Sequence, residues 1–285
     1  MAFSPDGGIL ASGSGDGTIK LWDAKKLASK QKRGELHHQD GLMDLAFLPN
    51  GCPQGQILAS AGENGTIELW NVETRQRVKT LPGHEDAGTL TRVYSVAFSP
   101  NCQTLVSGGQ DSTVRIWDLQ AEELKHKLDP DDIGPVCGLA FSQDDKKTLV
   151  SNGCHAKKIY VSDMDMPNPI LSRSRMEHYC LANSEDDFDN CDEYSCLDRT
   201  NTNTKICGVY AIAISKDGLL ATGGYDSKIK IWDLSNHREM DIFEAHPGTI
   251  RSLIFSPDGN SLASGGSHPD SSTDQDYYIE IWQPD

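Results

Sequence analysis

Residue types that carry chemistry return in sets along this chain. His84, Ser107 and Asp111 form one set, and His246, Ser264 and Asp276 form another. A serine, a histidine and an aspartate are the parts of a nucleophilic hydrolase, in which the imidazole takes the hydroxyl proton and the carboxylate orients the imidazole. Partial sets accompany them. His38 and Ser60 are followed by Asn64 in place of the acid, and Thr222 and Asp226 have Lys205 where the histidine belongs. For Ser12 and Asp16, the histidine position falls before residue 1. Each set ends in a tryptophan: Trp22, Trp70, Trp117, Trp232 or Trp282. A nucleophile site is normally singular, whereas these sets recur from end to end. Recurrence assigns them to architecture.

The recurring phrases define the elements that hold them. ASGSGDGTIKLWD (11–23), ASAGENGTIELWN (59–71), VSGGQDSTVRIWD (106–118) and ATGGYDSKIKIWD (221–233) align without gaps. A weaker copy, VSNGCHAKKIYVSD (150–163), has Ser162 for the tryptophan, and ASGGSHPDSSTDQDYYIEIWQ (263–283) is stretched. With the insertions set aside, the period is about 42–45 residues, in the range of blade-forming repeats. Inside one copy, SVAFSP (95–100), TLVSGG (104–109) and TVRIWD (113–118) read as short strands separated by Gly, Asp and Ser turns. A polar fourth run, EELKHKL (122–128), follows. Such units cannot bury both faces alone, and radial stacking solves that.

On these motifs the chain resembles the WD-repeat β-propellers over nearly its whole length, residues 174–206 excepted. The resemblance implies an all-β propeller with six recognisable blades of about four strands, alone or as part of a seven-bladed one. Blade cores are expected near 1–36, 42–81, 93–128, 136–173, 209–244 and 250–285, with 174–206 as an acidic insertion loop. It further implies that the Trp, Ser or Thr, His and Asp of each copy form a buried hydrogen-bond chain rather than a catalytic group. No cofactor is implied. In the fourth copy PNPILSR (167–173) is expected as the outer strand. The echo of CGLAFSQDD (137–145) in YCLANSEDD (179–187) leaves a degenerate seventh blade as the alternative.

The departures from the repeat are where function is expected. SEDDFDNCDE (184–193) holds six acidic residues and no basic one. It reads as a solvated run, or as a docking segment for a basic partner that phosphorylation of Ser184 would tune. Its spacing is not that of a helix–loop–helix calcium site, and Cys180, Cys191, Cys196, Cys207 and His178 lack the spacing of a zinc knuckle. Long loops at 85–92 and 266–275 would open on the same rim, called the top in the family. Beside the network, Met43, Tyr94, Cys137, Tyr210 and Arg251 start the first strands of their copies, while Glu63, Gln110 and Tyr225 precede the turn residue. These are the expected partner-binding residues, because tyrosine and arginine anchor interfaces. The chain opens within a first strand and stops shortly after Trp282, so a fragment of a longer propeller is also expected.

Charge and cysteine content bound the function. Lys and Arg total 26 against 42 Asp and Glu, a net charge of −16. This argues against direct nucleic-acid binding, where basic residues must neutralise phosphates. The basic group Lys25, Lys26, Lys30, Lys32 and Arg33 reads as a solvated outer strand. No run approaches the roughly 18 apolar residues of a membrane span. Eight cysteines without a CxxC pair and without an export signal lead to the expectation of reduced thiols in the cytoplasm or nucleus. The resulting expectation is a non-catalytic scaffold that binds proteins or peptides within a multiprotein complex. The alternatives are a substrate receptor of a ubiquitin ligase and the sensor propeller of a larger protein. An arginine two residues after Trp-Asp would favour the receptor, but those places hold Lys25, Gln120 and Ser235.

Overall fold

A short β-branched run between two turns can bury one face only against another sheet, and this chain solves the problem six times. The computed structural model describes residues 1–29, 31–86, 88–129, 134–142, 148–154, 158–164, 174–177, 208–224, 226–246, 248–256, 258–267 and 277–282. Blade one comprises β1 (Ala2–Phe3), β2 (Ile9–Gly13), β3 (Thr18–Asp23) and β4 (Lys32–His37). Blade two comprises β5 (Leu42–Phe47), β6 (Ile57–Gly62), β7 (Ile67–Asn71) and β8 (Gln76–Leu81). A small hairpin, β9 (His84–Asp86) and β10 (Thr89–Thr91), precedes blade three, which holds β11 (Val93–Phe98), β12 (Thr104–Gly109), β13 (Val114–Asp118) and β14 (Glu123–Leu128). Blade four is β15 (Val136–Phe141), β16 (Thr148–Gly153), β17 (Lys158–Asp163) and β18 (Ser174–Glu177). Blade five is β19 (Val209–Ile214), β20 (Leu219–Gly224), β21 (Lys228–Asp233) and β22 (Arg238–Glu244). The described strands of blade six are β23 (Ile250–Phe255), β24 (Leu262–Ser267) and β25 (Tyr277–Trp282). Every blade is an antiparallel meander in sequence order, and the molecule is an all-β propeller.

The alternation of each strand divides its residues between two neighbours. In blade two Leu58 and Trp70 pack towards blade one, while Ala59, Ile67 and Leu69 pack towards blade three. Five such apolar clusters join blades one through six in order. Among the described residues no further cluster joins blade six to blade one. Ile281 occupies the place of Leu21, Leu69 and Ile116, which are buried, yet is 69% exposed.

Two expectations are corrected here. The fourth described strand of blade four is Ser174–Glu177, paired with Lys158–Tyr160, and the outer strand expected at 167–173 lies outside the described residues. The expected insertion therefore loses its first four residues to the blade, and its acidic run, at 184–193, lies outside the described residues. The second correction concerns the thiols: Cys52 is joined to Cys102 and Cys137 to Cys154, at Cα separations of 5.6 and 4.8 Å. The fold brings together residues 50 and 17 positions apart, into the range a disulfide spans.

Candidate interaction face

The Ser-His-Asp sets are placed inside the blades. In blade three Trp117 Nε1 donates to Ser107 Oγ (2.9 Å), Ser107 meets His84 Nε2 (2.8 Å), and His84 Nδ1 meets Asp111 Oδ1 (2.7 Å). The distances are those of a catalytic triad, but the surroundings are not. Ser107 and His84 are wholly buried and Trp117 lies over the hydroxyl, so no substrate carbonyl reaches Oγ. Thr113 donates to Asp111 through both its backbone N–H and its hydroxyl, and Arg115 Nη2 donates to Asp111 Oδ2 (3.2 Å). Burial pushes the Asp111 carboxyl upward. The hydrogen bond and electrostatic pull of His84, with Thr113, more than reverse this and hold it at about 2.

The other blades vary the set. In blade two Ser60 Oγ accepts from Trp70 Nε1 (2.9 Å) and meets His38 Nδ1 (2.8 Å). Asn64 caps the turn by accepting from Thr66. The negative charge enters instead at Glu68, whose wholly buried carboxylate lies 3.2 Å from His38 Nδ1 and pairs with Arg77. In blade six His246 Nε2 meets Ser264 Oγ (2.7 Å), which accepts from Trp282 Nε1 (2.9 Å). Asp276 lies outside the described residues. Blade five has the Trp232–Thr222 bond (2.9 Å) and blade one the Trp22–Ser12 bond (2.8 Å). Asp226 and the exposed Asp16 accept from the backbone N–H two residues on. In blade four the Ser151 and Ser162 hydroxyls are buried without a partner among the described residues.

Sequence reasoning missed Glu68 and Arg115. Both stand immediately before a strand-ending hydrophobe–Trp pair, where a charge recurs as Lys20, Lys230 and Glu280. That recurring charge inside a β-branched run was the available signal. Burial lowers the values of His38 and His246, against the opposing pull of Glu68 and Glu280. Both are therefore held neutral in the folded state, and protonation favours unfolding. Stability is expected to decline as pH falls below 6.5, the ordinary histidine value. Denaturation midpoints at pH 7.5 and 5.5 test this against a His38→Asn/His246→Asn chain. An equal drop in the two proteins rules the assignment out.

The remaining expected residues lie at one end of the blades. The first strands run in one direction, so their starts share an edge with the turns that follow the second strands. In blades two to six, the first strand carries a bulge at its second residue, which lacks a partner in register. The bulge residues are Met43, Tyr94, Cys137, Tyr210 and Arg251. A bulge of this kind bends the strand and re-aims one side chain. Met43 and Arg251 are exposed, and Tyr94, Cys137 and Tyr210 are half-buried. The Arg251 guanidinium lies 5.8 Å from the Tyr210 ring centre, a cation–π contact between blades five and six. Glu63 and Gln110 are exposed on the adjoining turns, and Glu63 pairs with Arg92 (3.7 Å). Tyr225 and the turn at 268–276 lie outside the described residues.

Two devices fix this rim. Asp44 Oδ2 accepts from Ser95 Oγ and Val96 N (both 3.0 Å), and Ser95 Oγ accepts from Leu139 N (3.1 Å), lacing the first strands of blades two, three and four. Burial raises the Asp44 carboxyl value against these bonds. The β9–β10 hairpin, read in the sequence only as a long loop, is held at its base by Arg115, which donates to the Gly83 and Glu85 carbonyls. Gly83 has φ +64, and a Cβ there would lie 1.5 Å from the Gly65 carbonyl oxygen, so only glycine fits. The hairpin presents Leu90, half-exposed like Met43 on the neighbouring blade.

Comparison with known proteins agrees with the geometry. The family described as WD domain, G-beta repeat matches residues 1–23, 30–71, 75–118, 195–233 and 238–283. "DDB1- and CUL4-associated factor 13" of Dictyostelium discoideum is 35% identical over 66 residues, 23% of this chain and 13% of that protein. "Mitotic checkpoint protein bub3" of the same organism is 37% identical over 51 residues, 18% of this chain and 15% of that protein. Each alignment thus spans less than a fifth of the relative. A chain in the crystal structure of the mitotic checkpoint complex superposes with a TM-score of 0.70 at 19% identity, covering 99% of this chain and 75% of that one.

Proposed function

Because the chain belongs to the WD-repeat β-propeller family, we propose that it is a non-catalytic scaffold that binds protein or peptide partners on the rim carrying the bulge residues. The observation that supports this reading is the division of labour among the polar groups. In blade three the serine, histidine and acid that could catalyse are buried and occupied with one another, and in blades two and six the serine and histidine are likewise buried and paired. The side chains left outside that network at the rim include Met43, Tyr94, Tyr210, Arg251 and Leu90, types suited to anchoring an interface. Rigid strands hold them, so little ordering entropy opposes binding. Substrate receptor of a ubiquitin ligase is a narrower form of the same role, supported by the likeness to a DDB1- and CUL4-associated factor. A cytoplasmic or nuclear setting and a basic partner for the 184–193 run belong to the same proposal.

The test is affinity capture from lysate, comparing the chain with a Tyr94→Ala/Arg251→Glu variant whose circular dichroism is unchanged. The variant is expected to lose its principal partners at least tenfold. An unchanged partner list overturns the rim as the binding surface.

A further inference from the structure

Blade four spends both of its rim positions on thiols. Cys137 is the bulge residue of β15, at the place of Met43, Tyr94, Tyr210 and Arg251. Cys154 follows β16 directly, at the place of Glu63 and Gln110, and its N–H donates to the Pro135 carbonyl (2.8 Å) beside the start of β15. We propose that this pair is a reversible dithiol–disulfide site, a point of oxidative modification built into the interaction face. Its effect on partners rests on the reading of that face given above.

Three observations support it. First, the bond closes a loop within one blade (separation 17), whereas Cys52–Cys102 ties blade two to blade three (separation 50) at the turns between first and second strands, the opposite end. Opening the first frees no blade from its neighbour. Second, the two cysteines differ in access: Cys154 is buried at 6%, and Cys137 is half-exposed at the rim. Cys137 is thus the sulfur a reagent meets, and Cys154 the one positioned to resolve it. Third, blade four has Ser162 where five other blades have the network tryptophan, and among the described residues its Ser151 and Ser162 hydroxyls are unpaired.

The chemistry balances with hydrogen peroxide as the oxidant. The Cys137 thiolate attacks one peroxide oxygen, giving a sulfenic acid and, after protonation, one water. The Cys154 thiol then attacks the sulfenyl sulfur and displaces a second water, leaving the disulfide. Two thiols and one peroxide become one disulfide and two waters. A thiol such as glutathione reverses the bond by exchange through a mixed disulfide, at the sulfur that is accessible. The oxidised blade offers a cross-linked edge to a partner, and the reduced blade offers a thiol between the positions of Tyr94 and Tyr210.

The full chain is equilibrated in graded mixtures of reduced and oxidised glutathione, trapped with N-ethylmaleimide and mapped by peptide mass. The expected result is a Cys137–Cys154 link that opens under milder reduction than Cys52–Cys102, with circular dichroism unchanged, and that closes again with peroxide. A Cys137 that stays alkylatable after peroxide, or a link that opens only as the chain unfolds, overturns the site. Partner retention is then compared between oxidised and reduced chain. At least a fivefold difference is expected, absent in a Cys137→Ser/Cys154→Ser chain. Equal retention removes the effect on partners while the thiol map stands. Retention unaffected by Tyr94→Ala/Arg251→Glu instead points to the reading of the face as the part in error.

Discussion

Replacing Trp117 by alanine is expected to lower the stability of the folded chain by about 3–5 kcal/mol. The indole is 1% exposed and packs with Val96, Phe98 and Leu105 in the cluster between blades two and three, so its removal leaves a cavity bounded by two sheets. It also removes the Nε1–H that Ser107 Oγ accepts, leaving a buried oxygen short of a donor, at a further cost of order 1 kcal/mol that falls within that range. The partial control is Trp117→Phe, which keeps most of the volume and loses the hydrogen bond. Its expected cost is about 1–2 kcal/mol. Urea denaturation followed by circular dichroism measures both. A loss below 1 kcal/mol for the alanine variant would falsify the structural assignment of the set and reopen the question of what Ser107 and His84 do.

Asp111→Ala is expected to cost a similar amount, about 3–5 kcal/mol, for an electrostatic reason. The carboxylate faces His84 Nδ1 and Arg115 Nη2, and the Arg115 side chain is 9% exposed. Without Asp111 that guanidinium keeps only the Gly83 and Glu85 carbonyls as partners and is largely shielded from water, so a buried charge is left uncompensated. An Arg115→Met change made in the same chain is expected to recover part of the loss, because it removes the orphaned charge. The pH dependence follows with a definite sign. The folded carboxyl titrates at about 2, below its ordinary 3.8, so its contribution is fully present above 3.8 and is lost as pH falls through about 2. The shift corresponds to about 2 kcal/mol. Asp111→Asn is expected to lack this acid-sensitive component. Parallel acid titrations of the two proteins in fixed urea measure it, and coincident curves contradict the assignment.

Much of this was legible in one dimension because a repeat states its rule several times. The Trp-Asp endings and the turn residues at constant spacing set the strand pattern, since period-two alternation is a local property of the backbone. The same spacing placed the bulge residues at the start of each first strand. What a linear reading could not give were pairings that depend on which side chains the turns bring face to face. Asn64 reads as a missing acid, yet Glu68 supplies the charge from the adjoining strand. EDAGTLT reads as a loop, yet its ends pair as β9 and β10 on a base held by Arg115. Ser174–Glu177 reads as the start of the insertion, yet it pairs with Lys158–Tyr160 at the edge of blade four. The cysteines are the plainest case. Neither 52 and 102 nor 137 and 154 form a recognisable pair in sequence, and only the stacking of blades and the folding-back of β15 on β16 bring each pair within bonding reach. The sequence alone determined the repeat and its strands, which follow from local pattern, while the buried polar chain was implied by the family resemblance those motifs carry. The tertiary structure decided which charges and thiols meet, because those meetings depend on distances across sheets that residue spacing does not encode.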